Sequence, residues 1–330
     1  MKDFLKRFFT NLLINEDNKK VSVEASAMGL ILTLCLVASI TDSSFLGARN
    51  FLLILDSVTL YLLMALGLTF VLLSGSVNLS VGGMLSLNCV IFAMMSNSMG
   101  LKWSIPMVLL CGFLEGVITG YVFKIFKIPS FIATYGMMGL YTSFGVVLCG
   151  GTPIVLKMDV MRSLRILNYM VVPGVKLQYL FAAVAFAVFI FIQKRTSFGK
   201  FVVAIGNSPE AARHIGVNIG RIKILCYGLS GFSTAIGSIV LCTRLYSGDP
   251  TVGTSYLLLI VAVVIVGGTS LSGGTGGILN TLLGALTISI IQDVLQIMGV
   301  NIYYHSVFIG LVMIVAVAIS LDKKRVLIVK

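Results

Sequence analysis

The chain has 330 residues, of which 58% are hydrophobic and only 11% are charged, and its mean hydropathy is +1.04. No water-soluble globular fold of this length can bury so much apolar surface, so the composition excludes a soluble protein. Lysine and arginine outnumber aspartate and glutamate by 24 to 12. Because no soluble domain carries this positive charge, we expect it to serve membrane orientation and contact with anionic lipid rather than nucleic-acid binding.

Residues 1–24 form a charged N-terminal segment, which we expect to lie in the cytoplasm. They lack the sustained apolar core and the small-residue cleavage site of a secretory signal. Apolar residues recur at helical spacing among lysines and arginines, at Phe4, Leu5, Phe8, Phe9, Leu12 and Leu13. Two interpretations stay open: an interfacial helix on the membrane surface, or a partly ordered leader.

Ten apolar segments follow, and most are close to the roughly 20 residues that a helix needs to cross the hydrocarbon core. They cover residues 27–47, 51–73, 81–99, 104–123, 130–150, 177–193, 225–243, 253–267, 275–297 and 303–321. The eighth is short. The predicted fold class is therefore all-α: a polytopic membrane protein with about ten transmembrane helices and two glycine-rich interrupted segments. The transmembrane domain covers 25–322, and 323–330 is a cytoplasmic tail.

The distribution of basic residues predicts the orientation of these spans. If both termini are cytoplasmic, 17 of the 24 lysines and arginines fall on the cytoplasmic side. Positive residues are enriched in cytoplasmic loops, so this arrangement is the favoured one. One span more or fewer would mix the two groups of basic residues.

Two glycine-rich segments, Gly75–Gly83 and Gly267–Gly274, interrupt the apolar spans with a shared pattern. Aligning Leu79 with Leu271 also matches Gly75 with Gly267, Ser80 with Ser272 and Gly82 with Gly274. Irregular backbone at membrane depth is tolerated where it is buried in protein or lines a wet cavity, and paired interruptions indicate a transport route. Ordinary cytoplasmic turns that allow close helix packing are the alternative.

The neutral polar side chains of these segments suit hydrogen bonding to a polyol. The candidate residues of a translocation pathway are Asn78, Ser80, Gly82, Ser270, Ser272 and Glu115. Glu115 lies near the centre of the fourth segment, where a carboxylate is expensive. A role in the pathway or in proton transfer, and a simple bond inside the bundle, both stay open for it.

Two further acidic residues, Asp56 and Asp293, lie within the second and ninth segments. We expect both to bond to polar neighbours inside the bundle. The local candidates for these bonds are Ser57, Thr59, Gln292 and Gln296.

The loop 194–224 is a polar, basic island between two apolar spans. Ser208 can cap a helix, and Pro209 suits the first helical position, where no amide hydrogen is needed. Glu210 stands in the first turn, where the helix dipole favours a negative charge, and Gly216 can end the helix in a left-handed conformation. A helix of two turns is too short to be stable alone, so we expect its flanks and a partner to hold it.

The sequence offers no catalytic, cofactor-binding or metal-binding constellation. It has no G-x-x-x-x-G-K-[ST] phosphate loop and no G-x-S-x-G nucleophile elbow. Its six cysteines are scattered through apolar spans without the spacing of metal ligands. An enzyme is therefore the weaker interpretation.

Several stretches, taken in their order and spacing, resemble the permease subunits of ribose- and galactoside-type ABC importers, which bring simple sugars into bacteria. These stretches are residues 75–83, 127–134, 136–138, 150–154, 196–200, 204–212, 267–274 and 299–300. The resemblance runs from about residue 50 to residue 321. It implies a permease in the bacterial cytoplasmic (inner) membrane that moves its substrate by alternating access.

The resemblance also implies partners. A cytoplasmic ABC ATPase would bind ATP and Mg²⁺, a second permease subunit (the same chain or a homologous one) would pair with this one, and a sugar-binding protein would dock outside. A Glu-Ala-Ala-type loop would form the coupling helix that docks on the ATPase. The residues at these positions are Ser208, Pro209, Glu210, Ala211, Ala212, Arg213 and Gly216. The outer segment 151–176 is the candidate contact for the binding protein.

One departure and one alternative stay open. The family often has aspartate where this chain has Asn78, so the substrate can differ from ribose or galactose, or the chain can be half of a heteromeric pair. The alternative function is an ion-gradient-driven secondary transporter for a small polar solute, with Glu115 or Asp293 as its ion site.

Overall fold

The computed structural model describes residues 43–172 and 174–320, together with the isolated positions 14, 15, 20, 21, 29, 35, 36 and 39. Most of the N-terminal segment 1–24, most of the first apolar segment 27–47 and the whole tail 323–330 lie outside the described residues. Before residue 43, Ile14–Asn15 (β1) pairs antiparallel with Lys20–Val21 (β2).

The described part of the chain is built from helices that follow one another with short connections. They are α1 (Ala48–Leu73), α2 (Val81–Met99), α3 (Leu101–Phe126), α4 (Ser130–Leu148), α5 (Met158–Leu164), α6 (Leu177–Arg195), α7 (Ser197–Asn207), α8 (Pro209–His214), α9 (Ile219–Leu245), α10 (Val252–Val266), α11 (Ile278–Ile297) and α12 (Ile302–Ser320). Short 3₁₀ turns cover Ser43–Leu46 and Arg165–Asn168. Two-to-three-residue strands are β3 (Ile154–Val155), β4 (Met170–Val172), β5 (Val175–Lys176) and β6 (Ser247–Gly248).

Seven of these helices (α1, α2, α3, α4, α6, α9 and α11) are long and apolar enough to cross a membrane. Two shorter apolar helices, Val252–Val266 and Tyr303–Val317 within α12, complete the set. The nine coincide with the second to tenth predicted segments, so the prediction of an all-α polytopic membrane protein is confirmed. The count of ten is not confirmed, because the first segment lies largely outside the described residues.

Helix α9 lies at the centre of the bundle, between α1 and α3. Glycines on these helices let the backbones approach closely. A Cβ atom added at Gly116 of α3 would stand 2.1 Å from the Tyr227 carbonyl oxygen. A Cβ atom added at Gly231 of α9 would stand 1.9 Å from the Gly112 carbonyl oxygen. Helices α4 and α6 instead leave most of their surface exposed, as membrane-facing helices do.

The bundle has two chemically different ends. The α8 end contains α7, α8, the last turns of α1, α3 and α6, and the first turns of α4, α9 and α11. The far end contains the segment 151–176, in which β4 pairs with β5, while β3 pairs with β6 from beyond α9. An all-α interpretation does not predict these small strand pairs, which fold the far-end connections onto the bundle.

Candidate functional site

The polar island forms the short helix α8, with both of its predicted end structures in place. The Ser208 side chain accepts a hydrogen bond from the Ala211 amide at 3.2 Å, and Pro209 takes the first helical position. Gly216 has φ +82°, the left-handed conformation that ends the helix. Pro209, Glu210, Ala211 and Arg213 are exposed, so α8 presents a free surface.

Ala212 does not belong to that free surface. Its side chain is 1% exposed and packs in a small apolar cluster with Ile205 of α7 and Val217 after α8. This contact, rather than helix length, holds the six residues of α8 in place. Of the two alanines expected to dock, only Ala211 is open to a partner.

Helix α7 connects α8 to both glycine-rich segments. Its N-cap is Thr196, whose hydroxyl accepts a hydrogen bond from the Gly199 amide at 3.3 Å. Near its end, a Cβ atom added at Gly206 would stand 1.9 Å from the Leu73 carbonyl oxygen and 2.3 Å from the Gly274 amide nitrogen. The Gly274 amide in turn donates to Leu73 at 2.9 Å, so three backbones meet without any side chain between them.

The first glycine-rich segment enters the bundle. Along α9, Lys223 donates to the Ser76 hydroxyl at 2.8 Å, Tyr227 donates to the Val77 carbonyl at 3.1 Å, and Asn78 donates to Ser230 at 3.2 Å. Ser230 is eleven residues after the start of α9, which corresponds to a depth of about 16 Å. Helix α2 therefore begins inside the bundle, below the surface of the α8 end.

Asn78 and Ser80 form a closed turn at that depth. The Asn78 side-chain oxygen accepts from the Ser80 amide at 3.1 Å and from the Ser80 hydroxyl at 2.6 Å. Both side chains are fully buried. The turn is the irregular backbone, satisfied by protein, that the glycine pattern predicts.

Helix α10 also begins inside the bundle, from the opposite side. Its Gly253 amide donates to the Ser86 hydroxyl of α2 at 2.9 Å, and a Cβ atom added at Gly253 would stand 1.8 Å from the Gly82 carbonyl oxygen. The chain leading to it follows α2 inward, since Gly248 lies against Cys89. This inward stretch explains why the eighth apolar segment is short. The only feature of the sequence that indicates this inward stretch is the Gly-Asp-Pro turn at 248–250.

The second glycine-rich segment remains at the α8 end. Ser270 and Thr275 close a tight loop through a 3.1 Å backbone bond, and the Ser272 side chain is exposed. Gly268, Gly273, Gly274 and Gly276 have φ between +78° and +106°. The structure thus places the two segments in contact, with Gly273 beside Gly75, but separates Ser270 and Ser272 from Asn78 in depth.

Glu115 lies in α3 among polar groups from α2 and α4. It is 6% exposed, and its carboxylate accepts from the Asn88 amide group at 2.7 Å. Its backbone carbonyl accepts from Tyr141 at 2.7 Å and from Thr119 at 2.9 Å. The other side-chain atom of Asn88, its oxygen, is buried without a hydrogen-bond partner. Glu115 is therefore separate from the Asn78 turn.

The expected local partners of the two other acidic residues are wrong. Asp56 pairs with Lys176 of β5 at 2.5 Å and accepts from Gln178 and Tyr179 in the first turn of α6. Asp293 accepts from Asn50 of α1 at 2.7 Å. Both carboxylates therefore join different helices at the far end. Sequence neighbours could not reveal this, because the partners are more than a hundred residues away.

Among the described residues, no group of three or more histidine, cysteine, aspartate or glutamate side chains is arranged to hold a metal ion. All six cysteines are free thiols. The residues that the structure brings together at the α8 end offer contact surfaces and hydrogen bonds.

Comparison with known proteins finds a matching family and several relatives. A family model described as the permease component of branched-chain amino acid transport systems matches residues 50–317. The ribose import permease of Haemophilus influenzae is 34% identical over 89% of this chain and 92% of its own length. The ribose import permease of Bacillus subtilis is 34% identical over 90% and 92%, and the fructose import permease of Rhizobium meliloti is 30% identical over 88% and 83%. No solved structure matches significantly.

The family model covers most of the chain, and the relatives match it over nearly their whole length. The chain therefore belongs to this family of transport-system permease components, and the resemblance to permease subunits of ABC importers is confirmed.

Proposed function

We propose that this permease is the membrane-spanning subunit of an ATP-driven importer for a simple sugar or related polyol in the bacterial inner membrane. The printed functions of its relatives, ribose and fructose import, support the substrate class. In this proposal the α8 end and both termini are cytoplasmic. ATP and Mg²⁺ bind to a separate ATPase subunit, and this chain hydrolyses nothing itself.

One observation carries the coupling part of the proposal: an exposed helix is rigidly tied to both interrupted segments. Glu210 and Arg213 are exposed on α8, while Ala212 anchors α8 to α7. At Gly206, α7 meets Leu73 and Gly274 backbone to backbone. Displacement of α8 by a partner would therefore move the last turn of α1 and the loop before α11 together.

This connection supports alternating access. Closure of the ATPase pair would pull α8, and α7 would carry the movement to the segment that leads into α2. Packed interfaces of this kind have discrete alternative arrangements, so a small displacement can switch an opening from one side to the other. The substrate shifts the balance only through different affinities for the two arrangements.

We assign the other partners to exposed surfaces of the bundle. Gly136 and Gly139 of α4 have open space where a side chain would stand, as in helices that pack closely on another helix. We place the second permease subunit, identical or homologous, on this face. At the far end, Arg162 and Arg165 line a cavity of about 370 Å³, and we place the sugar-binding protein there.

The test combines Glu210→Ala with Gly216→Ala in the complete transporter, reconstituted in vesicles with its ATPase and binding protein. Loss of the docking charge and strain of about 1–2 kcal/mol at a left-handed alanine should leave a folded permease that fails to couple. ATP hydrolysis should continue while sugar uptake falls about tenfold or more, a loss of about 1.4 kcal/mol in coupling.

A matched control is Asp159→Ala, since Asp159 also lies in the first turn of a short, exposed helix, but at the far end. The control should retain normal binding of the ATPase subunit. Normal uptake by the double variant would contradict the docking role of α8.

The same vesicles distinguish the ATP-driven importer from the ion-gradient alternative. If the importer proposal is correct, uptake should survive an ionophore that dissipates the proton gradient and should stop when the ATPase is omitted. Glu115→Gln, which removes the buried titratable group, should keep ATP-dependent uptake. Uptake that follows the proton gradient and ends with this variant would favour a secondary transporter.

A further inference from the structure

A cavity of about 240 Å³ lies at the α8 end, between the last turn of α3 and the first turn of α9. Its walls combine apolar and basic side chains: Phe123, Lys124, Lys127, Ile128, Ile219, Gly220 and Lys223. The proposed coupling helix α8 and the interrupted segments do not line it. It therefore needs an explanation of its own.

The backbone shapes this cavity for its lysines. Lys127 ends α3 in a left-handed conformation, with φ +51°, which turns the chain away from the helix axis. Gly220 leaves room for the Lys124 stem, because a Cβ atom there would stand 2.9 Å from the Lys124 Cε atom. The Lys223 ammonium lies 5.4 Å from the centre of the Phe123 ring. Three lysines thus line a cavity whose other side chains are apolar.

Among the described residues, no carboxylate lines the cavity to neutralise these charges. Of the acidic residues in the described part of the chain, only Glu210 lies at the α8 end, and it stands on α8. The others lie in mid-bundle or at the far end: Asp56, Glu115, Asp159, Asp249 and Asp293. Clustered ammonium groups without a carboxylate create a positive potential that attracts an anion.

The surface beside the cavity is apolar and faces outward. Along α3, Leu114, Ile118, Tyr121 and Ile125 recur every three or four residues, and each is about half exposed. Lys124 follows Tyr121 by one helical turn on the same side of α3. An anion bound by the lysines would therefore have a strip of exposed hydrocarbon next to it, running towards mid-membrane.

We propose that this cavity binds the phosphate group of an anionic phospholipid, with the acyl chains lying along the exposed strip of α3. Basic pockets between transmembrane helices at the cytoplasmic surface suit such headgroups. A free phosphate ion shares the headgroup chemistry, but it has no apolar part that could contact the exposed strip of α3. The structure therefore favours the lipid as the source of the phosphate.

The site has a route to the first interrupted segment. Lys223 lines the cavity and also donates to the Ser76 hydroxyl at 2.8 Å. A bound headgroup shares this ammonium with Ser76 and thereby holds the start of the first glycine-rich segment in place. Lipid binding itself does not rest on the proposed transport function.

The test measures lipid retention directly. The full chain in its complex is reconstituted in nanodiscs of phosphatidylcholine with phosphatidylglycerol. The complex is then released from the nanodiscs, and native mass spectrometry measures how much phosphatidylglycerol stays bound to it. Lys124→Gln with Lys127→Gln should lower retained phosphatidylglycerol by about 25-fold, roughly fivefold for each lysine. Lys102→Gln, at the other end of the same helix, is the matched control and should retain it normally.

Two further arms separate the possible outcomes. Lys124→Arg with Lys127→Arg should restore retention, because the charge rather than the lysine shape binds the headgroup. Inorganic phosphate should displace phosphatidylglycerol poorly. Equal retention by the glutamine pair and by Lys102→Gln would overturn the proposal. So would full displacement of the lipid by inorganic phosphate, which would show a site for the free anion.

Discussion

The two glycine-rich segments share a sequence pattern but have different structural roles. In the first, Asn78 and Ser80 are fully buried and hydrogen-bonded to each other inside the bundle. In the second, the aligned Ser272 is exposed, and glycines with positive φ form a tight loop at the α8 end. The first segment thus depends on its polar side chains, and the second depends on its backbone conformation.

This difference shows that a pattern of glycine, leucine and serine does not set the depth of a segment. Gly75 has φ +70°, whereas its aligned counterpart Gly267 has φ −62°. What differs is the partner: α9 offers Lys223, Tyr227 and Ser230 to the first segment. Substitutions of polar side chains should therefore act mainly in the first segment, whereas glycine substitutions should act in both, at Gly75 as well as at Gly274.

The largest effect is expected for Gly274→Ala. Alanine at φ +78° costs about 1–2 kcal/mol, and the new Cβ atom would stand 2.2 Å from the Asn207 side-chain oxygen, adding about 1–3 kcal/mol. Thermal unfolding of the purified permease should show a loss of about 3 kcal/mol. Gly310→Ala, in a helix with open space around the glycine, is the control and should not destabilise. Equal unfolding temperatures for both would refute the conformational role.

A smaller effect is expected for Asn78→Ala. The variant loses the bonds to Ser80 and Ser230 inside the bundle, and hydrogen bonds between transmembrane helices contribute about 0.6–2 kcal/mol each. The free energy of unfolding should fall by about 1–2 kcal/mol. A variant as stable as the parent protein would show that the buried turn does not depend on this side chain.

The smallest effect is expected for Ser272→Ala, the position aligned with Ser80. Its side chain is exposed, so stability should stay within about 0.5 kcal/mol of the parent protein. A loss as large as that of Asn78→Ala would mean that the two segments use their side chains alike. That result would remove the distinction between them.

Local features were predictable from the sequence, and depth was not. Ser208, Pro209 and Gly216 determine α8 through interactions within a few residues, so the end structures of the helix could be derived before its fold. The contact of Lys223 with Ser76 joins residues 147 positions apart. A run of apolar residues also shows which part of a helix is hydrophobic, but it does not show at what depth the helix begins. The inward course of residues 248–253 was therefore not predicted.

Helices α2 and α10 begin side by side at Gly82 and Gly253 and run in opposite directions. Each helix start has a positive partial charge of roughly half a unit, so their meeting point is electropositive without a lysine or arginine. A sodium ion or proton arriving at that level is repelled in a medium of low permittivity, whereas an uncharged molecule is not.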